Sequence, residues 1–193
     1  MKKIIIVASF ICLFMVSEQL FGALYEADDS CLAGALTAGY VFKNDCAFKE
    51  VYGHGVVNVI TADGCYYRWN PWGIGAKVSY FRAHGKTTFL KFKTLLQELP
   101  VTVYVRRIKS FRNGLQVYGS LGGGYLWVKE KSYLGDTRIN TGIGEIEVGF
   151  NYPVCCCVNL TTAFRYLFPP QCHCSEKVDV GGVDIRAGFE VSF

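Results

Sequence analysis

The chain has 193 residues, 51% of them hydrophobic and only 19% charged, with a formal net charge of +4. So mild a balance, without clustered Lys and Arg, excludes nucleic acid as a partner. No apolar run reaches the ~20 residues that a membrane-spanning helix needs, and the length suits a single domain.

Residues 1–22 read as a signal peptide. Lys2 and Lys3 give a basic start, Ile4 to Val16 forms a 13-residue apolar run broken only by Ser9, and the small pair Gly22-Ala23 follows. This order and size fit a cleaved export signal. Its removal takes Lys2, Lys3 and Glu18, leaving 18 basic and 15 acidic residues, or +3. Residues 23–193 are then the mature domain. Cys12 leaves with the signal, so eight of nine cysteines remain. An even count in an exported chain suggests disulfides.

The first expected strand is Leu32 to Phe42, followed by a mostly polar loop from Lys43 to Gly55 that holds Cys46. Val56 to Tyr67 is a second strand whose two faces the pattern leaves open. After a turn at Arg68 to Pro71, Trp72 to Phe81 alternates clearly: Trp72, Ile74, Ala76, Val78 and Tyr80 to one side, Gly73, Gly75, Lys77 and Ser79 to the other. A period of two marks a strand, because successive side chains leave it on opposite faces. Arg82 to Lys86 reads as a loop. Residues 87–109 form either one long strand or two short ones broken near Pro100, which cannot donate to a ladder. Their second half is the clearer, with Val101, Val103 and Val105 opposite Thr102, Tyr104 and Arg106.

A turn at Ser110 to Gly114 leads to Leu115 to Val128, where Gln116, Tyr118, Ser120, Gly122 and Gly124 share a face. Gly122 and Gly124 on that face would make room for Tyr and Arg side chains opposite. Lys129 to Arg138 reads as a charged loop. Ile139 to Tyr152 sets Glu145, Glu147, Gly149 and Asn151 opposite Ile146, Val148, Phe150 and Tyr152. Past a turn around Pro153, residues 158–168 put Asn159, Thr161, Ala163 and Arg165 opposite Leu160, Thr162, Phe164 and Tyr166. Pro169 to Lys177 is a loop. The chain closes on D-I-R-A-G-F-E-V-S-F, with Asp184, Arg186, Gly188 and Glu190 on one face and Ile185, Ala187, Phe189, Val191 and the terminal Phe193 on the other.

An apolar face, a polar face with charges of both signs and an aromatic carboxy-terminus resemble the final strand of an outer-membrane barrel. Over roughly residues 32–193 the chain resembles the small eight-stranded outer-membrane β-barrels of diderm bacteria, the opacity-type proteins among them, and its cysteines resemble the disulfide-rich envelopes of chlamydia-like bacteria. With residues 87–109 taken as one strand, the count is eight. The expected fold is therefore an all-β, eight-stranded, antiparallel, up-and-down transmembrane β-barrel in the bacterial outer membrane, with both termini periplasmic. Aromatics at strand ends, such as Trp69, Trp72, Tyr80, Tyr125, Trp127, Tyr152 and Phe168, suit the lipid–water interface. A soluble barrel would instead have to pack those aromatics into a narrow core.

The inward set is then a lumen charge network: Lys77, Arg106, Arg165 and Arg186 facing Glu145, Glu147, Asp184 and Glu190. Charges taken out of water must be paired, so these are expected to plug the lumen. In a closed barrel the first and last loops are neighbours, so Cys46 is expected to pair with Cys172 or Cys174, and Cys31 or Cys65 with the Cys155-Cys156-Cys157 run. Some of that run could cross-link neighbouring envelope proteins. Cys172-His173-Cys174 lacks the usual zinc spacing, and His173-Cys174-Ser175-Glu176 copies the His-x-Ser spacing of some lipid-modifying barrels, but inside a loop. The glycines of Gly119 to Gly124 lack the Lys-Ser/Thr and helix of a phosphate loop. No enzyme activity, metal or cofactor is expected. The resemblance implies outer-membrane lipid and the barrel-insertion machinery as partners, with Phe193 as the insertion signal. It also implies a structural or surface-exposed envelope role, with an adhesin or a narrow channel as alternatives.

Overall fold

The computed structural model describes residues 31–43, 46–53, 55–69, 71–86, 92–133, 135–168 and 181–193. The expected signal peptide and the loop bearing Cys172 and Cys174 lie outside these residues. Eight antiparallel strands close into an up-and-down barrel. They are β1 (Cys31–Phe42), β2 (Val56–Trp69), β3 (Trp72–Lys86), β4 (Lys93–Ser110), β5 (Gln116–Ser132), β6 (Gly135–Cys155), β7 (Val158–Phe168) and β8 (Gly182–Ser192). A short helix α1 (Cys46–Tyr52) lies between β1 and β2.

Each strand follows its own alternation. The burial of β3 switches residue by residue from Gly73 to Phe81, with Lys77 and Ser79 in and Ile74, Val78 and Tyr80 out. Pairing runs around the whole circle, with register shifts between Tyr67 and Trp69 and between Pro153 and Cys155. A path from Leu32 through its cross-strand partners Tyr66, Ile74, Val105, Leu121, Ile146, Tyr166 and Val183 returns to β1 at Phe42, ten residues further on. All of these residues face outward. The stagger is what tilts barrel strands, typically by about 35–45°. The seam between β8 and β1 runs from Ala33↔Ser192 to Phe42↔Val183. It is extended by reciprocal backbone bonds between Leu32 and Phe193 at 3.2 and 2.8 Å.

Three expected loops are regular structure instead. Residues 82–86 continue β3, because His84 and Lys86 keep pairing with Leu95 and Lys93. The charged stretch 129–138 is the end of one strand and the start of the next, paired from Lys129↔Arg138 to Ser132↔Gly135. Within 43–55 lies α1. Seven residues do not hold a helix alone. This one is anchored by buried Phe48, by the Lys43 N–H bonded to the Gly55 carbonyl at 2.6 Å, and by Gly53, whose φ of 78° ends the helix.

The stretch around Pro100 is one strand. Pro100 faces inward, and the β3–β4 register skips from Val78↔Val101 to Phe81↔Glu98. The missing N–H costs local ladder bonds but not the strand, which β5 supports through Pro100↔Leu126.

The interior has two layers. Toward the end where α1 sits (the loop end), Val41, Val59, Phe81, Leu96, Leu126 and Leu167 form an apolar cluster with Phe48. Toward the end bearing the termini and tight turns (the turn end), the inward residues of the same strands become polar and charged. The outside is apolar: Leu36, Ile60, Val103, Leu121, Tyr125 and Phe189 are all exposed.

Candidate functional site in the barrel interior

Six strands send charged side chains to one place. Lys77 from β3 is bonded through Nζ to Glu145 Oε1 at 3.0 Å and Glu147 Oε2 at 2.7 Å, both on β6, and lysine and glutamates are 0–1% exposed. Spacing on β6 explains the clamp, since residues two apart on a strand share a face. Arg165 from β7 reaches Asp184 on β8 at 2.6 Å and Glu145 at 3.4 Å. Arg186 bonds its strand-mate Asp184 through Nε at 2.9 Å and also contacts Glu147. Arg106 from β4 meets Asp63 of β2 at 2.5 Å and lies 3.5 Å from both Glu147 and Glu190.

Arg106 is held from both sides. Its guanidinium sits 4.8 Å from the Tyr104 ring centroid and 4.2 Å from that of Tyr118, and Lys77 also lies over Tyr104 at 4.7 Å. Such stacks help hold a cation that has left water. The Tyr104 hydroxyl in turn donates to Asp63. The phenols have space because β3, β5 and β6 carry glycine beside them. A Cβ on Gly75 would run into the Tyr104 phenol, one on Gly122 would lie 2.7 Å from Tyr104 Cβ, and one on Gly149 would strike Tyr118. Gly124 has a different role: its missing Cβ lets the backbone of Val101 and Thr102 approach. Glu190 completes the group by accepting from Asn151 Nδ2 at 2.6 Å and Asn159 Nδ2 at 3.3 Å.

All eight charges named from the sequence face inward, and these bonds tie them into one network. The pattern missed one further member of the network, Asp63, and a separate buried pair. Asp63 lies on β2, whose faces were undecided; Thr61, Asp63 and Cys65 alternating with Ala62 and Gly64 was the available signal. Lys43 and Glu98 form a second, separate buried pair at 2.9 Å within the apolar layer, with Lys43 over the Phe81 ring. The sequence pattern reads Lys43 as the start of a loop and leaves Glu98 in the stretch before Pro100 open. Counting Asp63, the network sets four cations against five anions among the described residues.

The disulfide expectation for the turn end is corrected. Cys31, Cys65, Cys155, Cys156 and Cys157 are free thiols. Cys65 is buried on the inner face of β2, while the triplet is exposed at the β6–β7 turn, so neither points at the other. Beside Cys157, the thiol of Cys156 pushes the Cys157 thiol above its ordinary range. The pairing of Cys46 with Cys172 or Cys174 falls outside the described residues, as do His173, Ser175 and Glu176. Phe193 is exposed at the turn end. Among the described residues, no cluster of His, Cys, Asp and Glu has the arrangement of a metal site.

Beyond the apolar layer, Tyr52 of α1 donates to Glu130 at 3.0 Å, and Thr94 donates to the same oxygen at 3.1 Å. Burial raises the Tyr52 phenol above its usual range, which keeps it a donor. From the mouth inward, the side chains therefore run from hydrogen-bonded cap to apolar layer to ion-pair network.

No protein-family model matches the sequence, and no curated protein matches it. Among solved structures, the chain is similar to the outer membrane protein OprG of Pseudomonas aeruginosa (TM-score 0.57, 16% identity, covering 88% of this chain and 97% of that one). It is similar to Neisserial surface protein A (0.55, 15%, 85% and 96%) and to Ail, the attachment invasion locus protein of Yersinia pestis, solved with the heparin analogue sucrose octasulfate (0.54, 15%, 85% and 97%). These neighbours are small eight-stranded outer-membrane β-barrels, and at such identities the likeness is one of fold.

Proposed function

We propose that this chain is a bacterial outer-membrane barrel with a structural, surface-exposed envelope role and a closed lumen. Its loop end lies outside the cell and its turn end in the periplasm. The observation that carries this reading is the pairing of inside and outside. Aliphatic and aromatic side chains cover the outer wall, whereas ion-paired Lys, Arg, Asp and Glu lie on the axis. In water that order would be reversed, since burying charge costs several kcal/mol per ion even after relaxation. In hydrocarbon, the closed ladder and apolar wall are what a membrane demands.

Closure argues against a channel. Network and apolar layer occupy successive levels, so a solvated ion would have to break paired charges and then cross Phe48, Phe81 and Leu126. Purified protein in planar bilayers is expected to show no steady conductance, and open-channel steps would overturn the closed-lumen reading. Export through a cleaved signal at residues 1–22, handling by the insertion machinery through Phe193, and an origin among cysteine-rich envelopes belong to the same proposal. The exposed Cys155–Cys157 turn is placed to form disulfides with neighbouring envelope proteins. Outer-membrane fractions run without reductant should show higher bands that collapse on reduction and vanish in a triple Ser variant.

One observation favours a second reading, adhesion or reception at the surface. The β5–β6 hairpin carries its pairing out to Ser132↔Gly135 and holds Tyr133 at its tip, 76% exposed. Whole-cell binding with that tip shortened separates this from a purely structural role.

A further inference from the structure

Four neighbouring strands carry basic residues on their outer face toward the loop end. On β3 the outward residues run Ile74, Ala76, Val78, Tyr80, then Arg82, His84, Lys86; on β5 they run Leu121, Tyr125, Trp127, then Lys129 and Lys131. On these two strands apolar gives way to aromatic and aromatic to basic toward the loop end. β4 ends this face on Lys93, and β6 carries Arg138 and then Asp136. Register makes the basic residues one patch, since Lys86 lies directly opposite Lys93, and Lys129 directly opposite Arg138. Across the barrel the pattern differs: β7, β8, β1 and β2 end the same face on Tyr166 and Phe168, Val183, Tyr40 and Phe42, and Val56.

Like charges directly opposite on one sheet face repel. Six cations stand here against one acid, Asp136, which reaches Lys129 at 3.5 Å. Among the described residues, no ion pair forms on Arg82, Lys86, Lys93, Lys131 or Arg138, although Asp136 lies directly opposite Lys131. The upper part of the patch borders an open groove of about 540 Å³ between β3, β4 and β5, walled by His84, Lys93, Lys131 and the stacked rings of Phe92 and Tyr133.

We infer that this flank binds the phosphorylated headgroups of glycolipids in the surrounding outer leaflet. The inference rests on the membrane reading above and adds a ligand to it. Two features select a lipid over a free polyanion. The cations point sideways, in the direction of the lipid-facing Val78, Tyr80 and Trp127 below them, and they begin one alternate residue past the aromatic level, where headgroups start. Phosphate oxygens between Lys86 and Lys93, and between Lys129 and Arg138, would turn each repulsive pair into a bridged one. The barrel would then carry a preferred lipid on one side only.

The test uses the mature chain refolded in nanodiscs of phosphatidylcholine alone, with added bisphosphorylated lipid A, or with the same lipid A dephosphorylated. Bound lipid A is counted after mild detergent extraction, and its affinity is measured in mixed micelles. The bisphosphorylated form should bind at least about tenfold more tightly than the dephosphorylated one, a modest bound if each surface cation contributes a factor of about five. The fourfold variant Lys86→Gln, Lys93→Gln, Lys129→Gln, Lys131→Gln should lose that preference, while Lys49→Gln with Lys109→Gln, off the patch, should keep it. Equal binding of both lipids, or an unchanged affinity in a fourfold variant that is still a heat-modifiable barrel, overturns the inference. So does inositol hexakisphosphate binding from solution as tightly as lipid A, which would assign the patch to a soluble polyanion. A chain that never enters nanodiscs overturns the membrane reading first, a different and recognisable failure.

Discussion

Replacing Lys77 by Met would leave Glu145 and Glu147 facing one another without the ammonium that now bridges them. Removing one partner of a buried ionic group costs about 3–5 kcal/mol, whereas surface changes usually stay within about 0.5 kcal/mol. Urea unfolding in lipid should therefore show Lys77→Met or Arg165→Met strongly destabilised and Lys131→Met close to wild type; equal shifts would remove the case for a plug. At Gly122 the added methyl of Ala would press on Tyr104, with an expected cost of about 1–3 kcal/mol by overpacking. A thiol prediction belongs here too. Because Cys156 holds the Cys157 thiol above its ordinary range, less reactive thiolate is present at a given pH. Cys156→Ser should lower that pKa and speed alkylation of Cys157 at mildly alkaline pH, as peptide mass spectrometry would report. The inward charges were readable because each sits in clean alternation with apolar neighbours. Asp63 was not, since V-V-N-V-I-T offers apolar residues to both faces and no charge until its end.

Strand identity and sidedness came through for β3 and for β5 to β8, where glycine and charge alternate with aliphatic or aromatic residues. The pattern failed where the barrel rises past its apolar belt. There the outer face is polar as well, so F-R-A-H-G-K and K-E-K-S lose the contrast that marks a strand, although backbone pairing with the neighbour continues. Helix α1 was invisible for another reason: seven residues carry too little periodicity, and Phe48 is fixed by the barrel mouth instead of by its own helix. Phe48→Asp should accordingly release this segment without opening the barrel. Limited proteolysis near Lys49 would rise while heat-modifiable mobility stays unchanged. At Pro100 the expectation runs the other way. Pro100→Val restores an N–H opposite Ser79, and one ladder bond is worth about 0.5–1.5 kcal/mol. Slower amide exchange at Val101 and neighbouring β3 positions would be the mark of that bond.

For the whole molecule, the informative feature is a closed sheet with its greasy side outward, and the fold likeness to OprG, Neisserial surface protein A and Ail agrees with it. Biological role was not legible, because it resides in surface positions that the packing rules leave free. The seam carries a consequence of its own. β1 and β8 are the two strands farthest apart along the polypeptide, so joining them closes the longest loop in the protein and carries the largest entropy cost of any pairing. Until that happens both strands are open edges, able to recruit a stranger. A synthetic peptide spanning Gly182–Ser192, supplied while the chain folds, should capture β1 and trap a barrel that cannot finish itself. The same peptide added after closure should find nothing to hold.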